Sequence, residues 1–111
     1  MHMNAEHIAY LNGLVNAQPN GIILVFSPYL DGAVSDHDFN TFFVSSHTVA
    51  THGGKGHSFF MTTGALGQIG NKYLYISDSE IRGYATNVQT FTRNGITVNN
   101  SQWVLRYVIG V

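Results

Sequence analysis

An all-β fold, a compact sandwich or barrel of about seven to eight short antiparallel strands, is what this sequence predicts. Three observations lead there. Apolar and polar residues alternate at period two along Lys72–Ser77, and Trp103, Leu105, Tyr107 and Ile109 recur at the same period. Turn residues, among them Asn20-Gly21, Asp31-Gly32 and Asp78-Ser79, divide the chain into short pieces. No segment sustains a long helical stripe.

The elements follow in order. Ala5–Val15 fits a helix through Ile8, Leu11 and Val15, but Gly13 and the flanking Asn residues weaken it, and a short strand over Leu11–Val15 is the other reading. Gln18-Pro19-Asn20-Gly21 is a turn. Ile22–Ser27 is a continuous β-branched and aromatic run, as in a fully buried strand, and Pro28, which lacks a backbone donor, ends it. A loop spans Tyr29–Asp38. Phe39–Val44 is a strand with Phe39, Thr41 and Phe43 on one face and Asn40, Phe42 and Val44 on the other. The glycines of Thr51–Gly56 mark a turn or bulge, His57–Thr62 a strand, and Gly64–Asn71 a glycine-rich connection. Lys72–Ser77 and Ile81–Tyr84 are strands separated by the Asp78-Ser79 turn, and a polar loop covers Ala85–Thr92. Arg93–Val98 and Gln102–Ile109 form a hairpin around Asn99-Asn100. In the last strand Val104 and Val108 make the second face apolar too, broken only by Arg106, so both faces are expected to be covered.

At 111 residues this is one domain, with a formal net charge of −1 and a charged fraction of 10%, against roughly 25% in typical globular proteins. The five Lys and Arg are scattered singly, which excludes the basic stripe of a nucleic-acid binder. The longest purely apolar run, Ile22–Phe26, falls far short of the ~18 residues of a membrane span. Cysteine is absent, removing disulfides and thiolate metal sites. Met1–Met3 has the look of a cloning remnant, so the natural sequence starts near Asn4, in a piece of a longer protein. So little charge on an apolar body points to surface buried against copies of itself.

The sequence carries no motif for catalysis or for a cofactor. His47, His52 and His57 are spaced by five, an odd step that puts strand neighbours on opposite faces. Asp36-His37-Asp38 fits turn chemistry better than acid–base work. Gly53-Gly54-Lys55-Gly56 is followed by His57 and a strand, not by the Ser/Thr and helix of a phosphate loop. A ligand-binding surface remains. Sugars are held by aromatic faces and by hydrogen bonds from Asp, Asn, Arg and His on loops. Tyr29, Asp36, His37, Asp38, Tyr84, Arg93 and Trp103 lie on or near predicted loops and strand ends, although Trp103 fits a core anchor of the final strand better. The expected site therefore combines the loops Tyr29–Asp38 and Tyr84–Arg93. Asp36 and Asp38 would accept from hydroxyls, and Arg93 would pair with a phosphate.

KYLYISD at Lys72–Asp78 and GIT…NN…WVLRYVIGV at Gly95–Val111 resemble the C-terminal receptor-binding head, or tip, of tail and baseplate proteins from phages of Gram-positive bacteria. NAQPNGIILVFSPYLDGA (Asn16–Ala33), DFNTFFVSSHTV (Asp38–Val49) and GGKGHSFFMTT (Gly53–Thr63) extend the resemblance over most of the chain from Leu11 onward. It implies a non-enzymatic virion protein of the tail tip or baseplate that recognises host cell-wall polysaccharide during adsorption. Sparse charge and apolar residues on both faces of Phe39–Val44 and Trp103–Ile109 predict a homotrimer, and the resemblance implies that it joins other tail or baseplate proteins through a missing N-terminal region. The alternatives are a structural trimerisation or tip domain that binds no ligand, and a carbohydrate-binding accessory module of a wall-degrading enzyme. Two expectations concern stability: Leu105 and Ile109 are core positions of the last strand, and Asn87 and Gln89 are tolerant positions of a polar loop.

Overall fold

Strong β-formers alternating with half-exposed residues build two sheets whose apolar faces meet. The computed structural model describes residues 1–11, 13, 15–64 and 68–111. Its strands are β1 (Ile8–Tyr10), β2 (Gly21–Leu30), β3 (Ala33–Val34), β4 (Asn40–Ser45), β5 (Lys55–Thr62), β6 (Ile69–Ile76), β7 (Glu80–Arg82), β8 (Thr90–Arg93), β9 (Ile96–Asn99) and β10 (Trp103–Gly110). One helix, α1 (Ser46–His52), follows β4. In sheet A, of six strands, the order is β1-β7-β6-β9-β8, with β5 on the other edge of β6; sheet B, of four, has β2 between β10 and the pair β3 and β4. The result is a curled β-sandwich or half-barrel, which bears out the all-β expectation with about ten strands among the described residues.

The core lies between the sheets. Leu24, Phe26, Trp103 and Leu105 face it from sheet B, and Phe59, Met61, Leu74, Ile76 and Ile81 from sheet A. The Phe26, Phe42 and Phe59 rings join the two layers, with centroids 5.1 to 6.3 Å apart. Aromatic pairs in this range add to the area they bury. Ser45 caps α1 by accepting a hydrogen bond from the Thr48 amide, and Val49 anchors the helix to the core.

Several expectations change. The last strand pairs with β2, not with its sequence neighbour, and its register slips between Leu105 and Tyr107. That bulge reverses the alternation. Trp103 and Leu105 stay buried, Val108 turns inward, and Ile109 is 47% exposed. The hairpin closes instead at Asn94-Gly95, whose φ values of 53° and 78° suit a type I′ turn between β8 and β9. Part of the polar loop is thus strand, and Ala85–Val88 is a 3-10 turn. Pro28 does not end β2. It lies after the last β4 pair, Phe26–Asn40, and before the first β3 pair, Tyr29–Val34, where no ladder donor is required. Gly21–Phe26 alternates, with Ile23 and Val25 half-buried on the outer face. The expected strand over Leu11–Val15 falls partly outside the described residues, as do positions 65–67 of the glycine-rich connection; the strand found nearby is β1.

Met1–Met3, set apart in the sequence, are part of the packing. Met3 is fully buried. The Met1 amino group donates to the Leu105 carbonyl at 3.0 Å, and the Leu105 amide returns a bond to the Met1 carbonyl at 2.8 Å.

Candidate binding surface

The richest grouping of recognition chemistry lies on the outer face of sheet A. With Leu74 and Ile76 buried in the core, the pleat turns Tyr73 and Tyr75 outward. Ser77 closes the connection to β7: its amide donates to the Glu80 carbonyl at 2.9 Å and its hydroxyl accepts from the Glu80 amide at 3.2 Å. This sets Arg82 directly opposite Tyr75. Residues facing each other across an antiparallel pair share a face. Ile8 and Tyr10 of β1 therefore continue the same face beside Arg82 and Glu80.

Tyr84 completes the group. Its ring centroid is 5.4 Å from Tyr73 and 6.0 Å from Tyr75, and Tyr73 and Tyr75 are themselves 5.4 Å apart at 90°. Asn87 holds it there. This fully buried side chain accepts from the Tyr73 amide at 2.6 Å and donates to the Tyr73 carbonyl at 2.8 Å and the Met3 carbonyl at 2.7 Å. The Asn87 amide donates to the Tyr84 carbonyl at 3.0 Å, which ties the 3-10 turn to β6. Gly56 is required beneath the group, because a Cβ there would overlap the Tyr73 hydroxyl.

Arg82 Nε donates to Glu80 Oε1 at 2.6 Å. That bond fixes the guanidinium and leaves its two terminal nitrogens available among the described residues. A shallow cleft of about 320 Å³ runs between Gly54, Tyr75, Ser77, Glu80 and Arg82. Burial, with Tyr73 and Tyr84 alongside, raises the Tyr75 pKa above the ordinary phenol value, so the hydroxyl stays neutral and both donates and accepts. Ring faces, phenol hydroxyls, a cationic fork and a carboxylate thus meet on one surface, the combination that grips polyhydroxylated ligands.

The residues singled out in the sequence disperse to separate neighbourhoods. Tyr84 alone belongs to the tyrosine group. Tyr29 packs edge-on to His2, with centroids 4.5 Å apart. Asp36 accepts from Arg106 at 2.9 Å, and the same guanidinium bonds Ser27 Oγ and the Ser35 carbonyl at 3.0 Å each. Asp38 accepts from the Gly64 amide at 2.8 Å and meets His37 Nδ1 at 2.7 Å. The Gly64 bond, then His37, lower the Asp38 pKa. Asp36 and Asp38 are thus engaged by Arg106, Gly64 and His37. Arg93 is exposed near Phe91 and Asn71, beside a different cleft. Trp103 is fully buried and offers no ring face to solvent, which matches its reading as a core anchor. His47 and His52 are exposed on α1 while His57 is on β5, and no three His, Cys, Asp or Glu side chains gather around a common point among the described residues.

Sequence reasoning missed Tyr73, Tyr75, Glu80 and Arg82. The signal was present in the alternation itself, since the face opposite Leu74 and Ile76 is aromatic. No family model, curated protein or solved structure matches this chain.

Proposed function

We propose that this chain is a non-enzymatic receptor-binding head of a phage tail or baseplate, recognising host cell-wall saccharide through the tyrosine surface of sheet A. The observation that carries the reading is the group Tyr73, Tyr75 and Tyr84 beside the Arg82–Glu80 pair. The all-β fold and the resemblance along the chain support it. Among the described residues no helix is long and apolar enough to cross a membrane. The functional unit in this reading is a homotrimer at the tail tip.

Binding of purified wall oligosaccharide, read by calorimetry, tests it. Tyr84→Ala and Arg82→Ala should each weaken binding at least about tenfold, the equivalent of ~1.4 kcal/mol, while Arg93→Ala and Asp36→Ala bind like the parent. Parental affinity in both of the first two variants, with native circular dichroism, would remove the site. A structural tip domain without ligand is the second reading, favoured by the apolar outer face of sheet B: the parent then binds no wall oligosaccharide at all.

A further inference from the structure

We infer that the outer face of sheet B is covered by another copy of this chain. Its register builds the patch. Ile109, Ile23 and Phe43 stand in one cross-strand row, and Tyr107, Val25 and Thr41 in the next. Phe39 extends the second row, since the Arg106 guanidinium lies 5.9 Å from its ring centroid and 5.4 Å from that of Tyr107. Three strands thus present aromatic and branched side chains where a lone sheet facing water alternates to polar residues.

Size argues for a macromolecular occupant. Phe39, Phe43, Tyr107 and Ile109 remain 46%, 58%, 51% and 47% exposed. An aromatic side chain offers roughly 150–250 Å², so these four and the half-buried Ile23 and Val25 leave on the order of 400 Å² of apolar surface. That is the scale of the largest patch on a typical monomer, commonly functional. Two such faces with their polar rims reach about 1,200 Å², the lower end for a specific interface.

Charge argues that the occupant is the same chain. A strongly charged partner gains little here, because Arg106 and Asp36 at the margin neutralise each other as an ion pair and Arg106 is further bonded to Ser27 and Ser35. The whole chain carries a formal net charge of only −1, so copies approach without appreciable repulsion. The inference is independent of the saccharide reading, since it uses the opposite side of the sandwich.

Sedimentation equilibrium of the intact protein tests it, with Phe43→Glu and Thr41→Glu as variants on the face and Phe60→Glu as a control on the outer face of sheet A. Phe43 and Phe60 are both 58% exposed, so neither glutamate burdens the core. The expected result is a parent mass of two or more chains, with dissociation weakened at least a hundredfold by both face variants and unchanged in the control. Thr41→Glu keeps the test valid if Phe43→Glu fails to fold. A monomeric parent at several milligrams per millilitre overturns the inference, whether or not a foreign protein binds the face. Dissociation by Phe60→Glu alone also overturns it and moves the contact to sheet A.

Discussion

Lys72 is fully buried, held by the His2 carbonyl at 2.7 Å and the Asn87 carbonyl at 2.6 Å, with no carboxylate partner among the described residues. Desolvation lowers its pKa from 10.5 to about 7. Between those values the folded chain keeps the amine neutral while the unfolded chain protonates it. The unfolded state then binds more protons, so stability rises with pH from about 7 to about 10.5, by at most ~1.4 kcal/mol per pH unit. The Met1 amino group, lowered first by burial and then by Lys72, acts in the same direction near its own range. Below pH 7 both states carry the Lys72 charge and its contribution is flat. Urea titrations from pH 6 to 10 should show this slope in the parent and a much flatter one in Lys72→Met; parallel curves would mean that the amine reaches water. Asn87, expected from the sequence to tolerate change, sits beside it with every side-chain polar group engaged. Asn87→Ala leaves the Tyr73 carbonyl and amide without their side-chain partner, each costing about 1–3 kcal/mol, while the Met3 carbonyl keeps the Tyr84 amide. A loss of at least ~2 kcal/mol is expected in the same titrations. Gln89 is exposed and contributes only backbone bonds to this region, so Gln89→Ala should stay within ~0.5 kcal/mol. Equal effects would mean that the Asn87 bonds are exchanged for water without loss.

At the level of elements, β10 shows what a period-two pattern leaves undecided. Trp103 and Leu105 were legible as core, but the slip after Leu105 hands the inward role to Val108 and releases Ile109. Leu105→Ala should cost about 2–5 kcal/mol, whereas Ile109→Ala in dilute solution should cost less than ~1 kcal/mol. Similar losses in a denaturant titration would put both side chains in one core and remove the bulge. The bulge was illegible because every residue around Arg106 is apolar, so either alternation fits the composition. Partner choice was illegible for a related reason. Asn99-Asn100 and Asn94-Gly95 are both competent turns, and nothing local says that Trp103–Gly110 finds Gly21–Leu30 some eighty residues upstream. The strands β5 and β6 were clearer, because Phe59, Met61, Leu74 and Ile76 fall on one face without interruption. Helix α1 had a cap signal in Ser45, but its single buried residue, Val49, gives no stripe to read. Within the candidate surface Tyr84 was visible from its place beside a polar loop. For Tyr73 and Tyr75 the sequence offers only the alternation of Lys72–Ser77, and it is Asn87, across a 3-10 turn, that converts that half-strand into a three-ring group.

For the whole molecule, the two outer faces divide the work proposed above. Sheet A presents hydroxyls, ring edges and an Arg–Glu pair, chemistry suited to exchangeable polar ligands. Sheet B presents aliphatic and aromatic side chains suited to a lasting contact between copies. If copies meet through sheet B, their tyrosine surfaces point away from the contact on opposite sides of the assembly, where a flexible wall polymer that wraps it reaches more than one of them. Single-site sugar contacts are shallow, and linking them raises overall strength by effective concentration, roughly 10²–10⁴-fold, without any new contact. The two faces then have separable effects. Phe43→Glu should leave the affinity for a short soluble oligosaccharide within about twofold of the parent, because no sheet A side chain is altered. Retention on immobilised wall polymer should fall at least about a hundredfold, the low end of the gain from linkage. Tyr84→Ala should lower both, since it acts at each site. Calorimetry with the oligosaccharide and biosensor retention on wall polymer distinguish the two patterns. A Phe43→Glu protein that loses oligosaccharide affinity in the same proportion as polymer retention would place the binding site across the copy–copy contact, and the division of faces would be wrong.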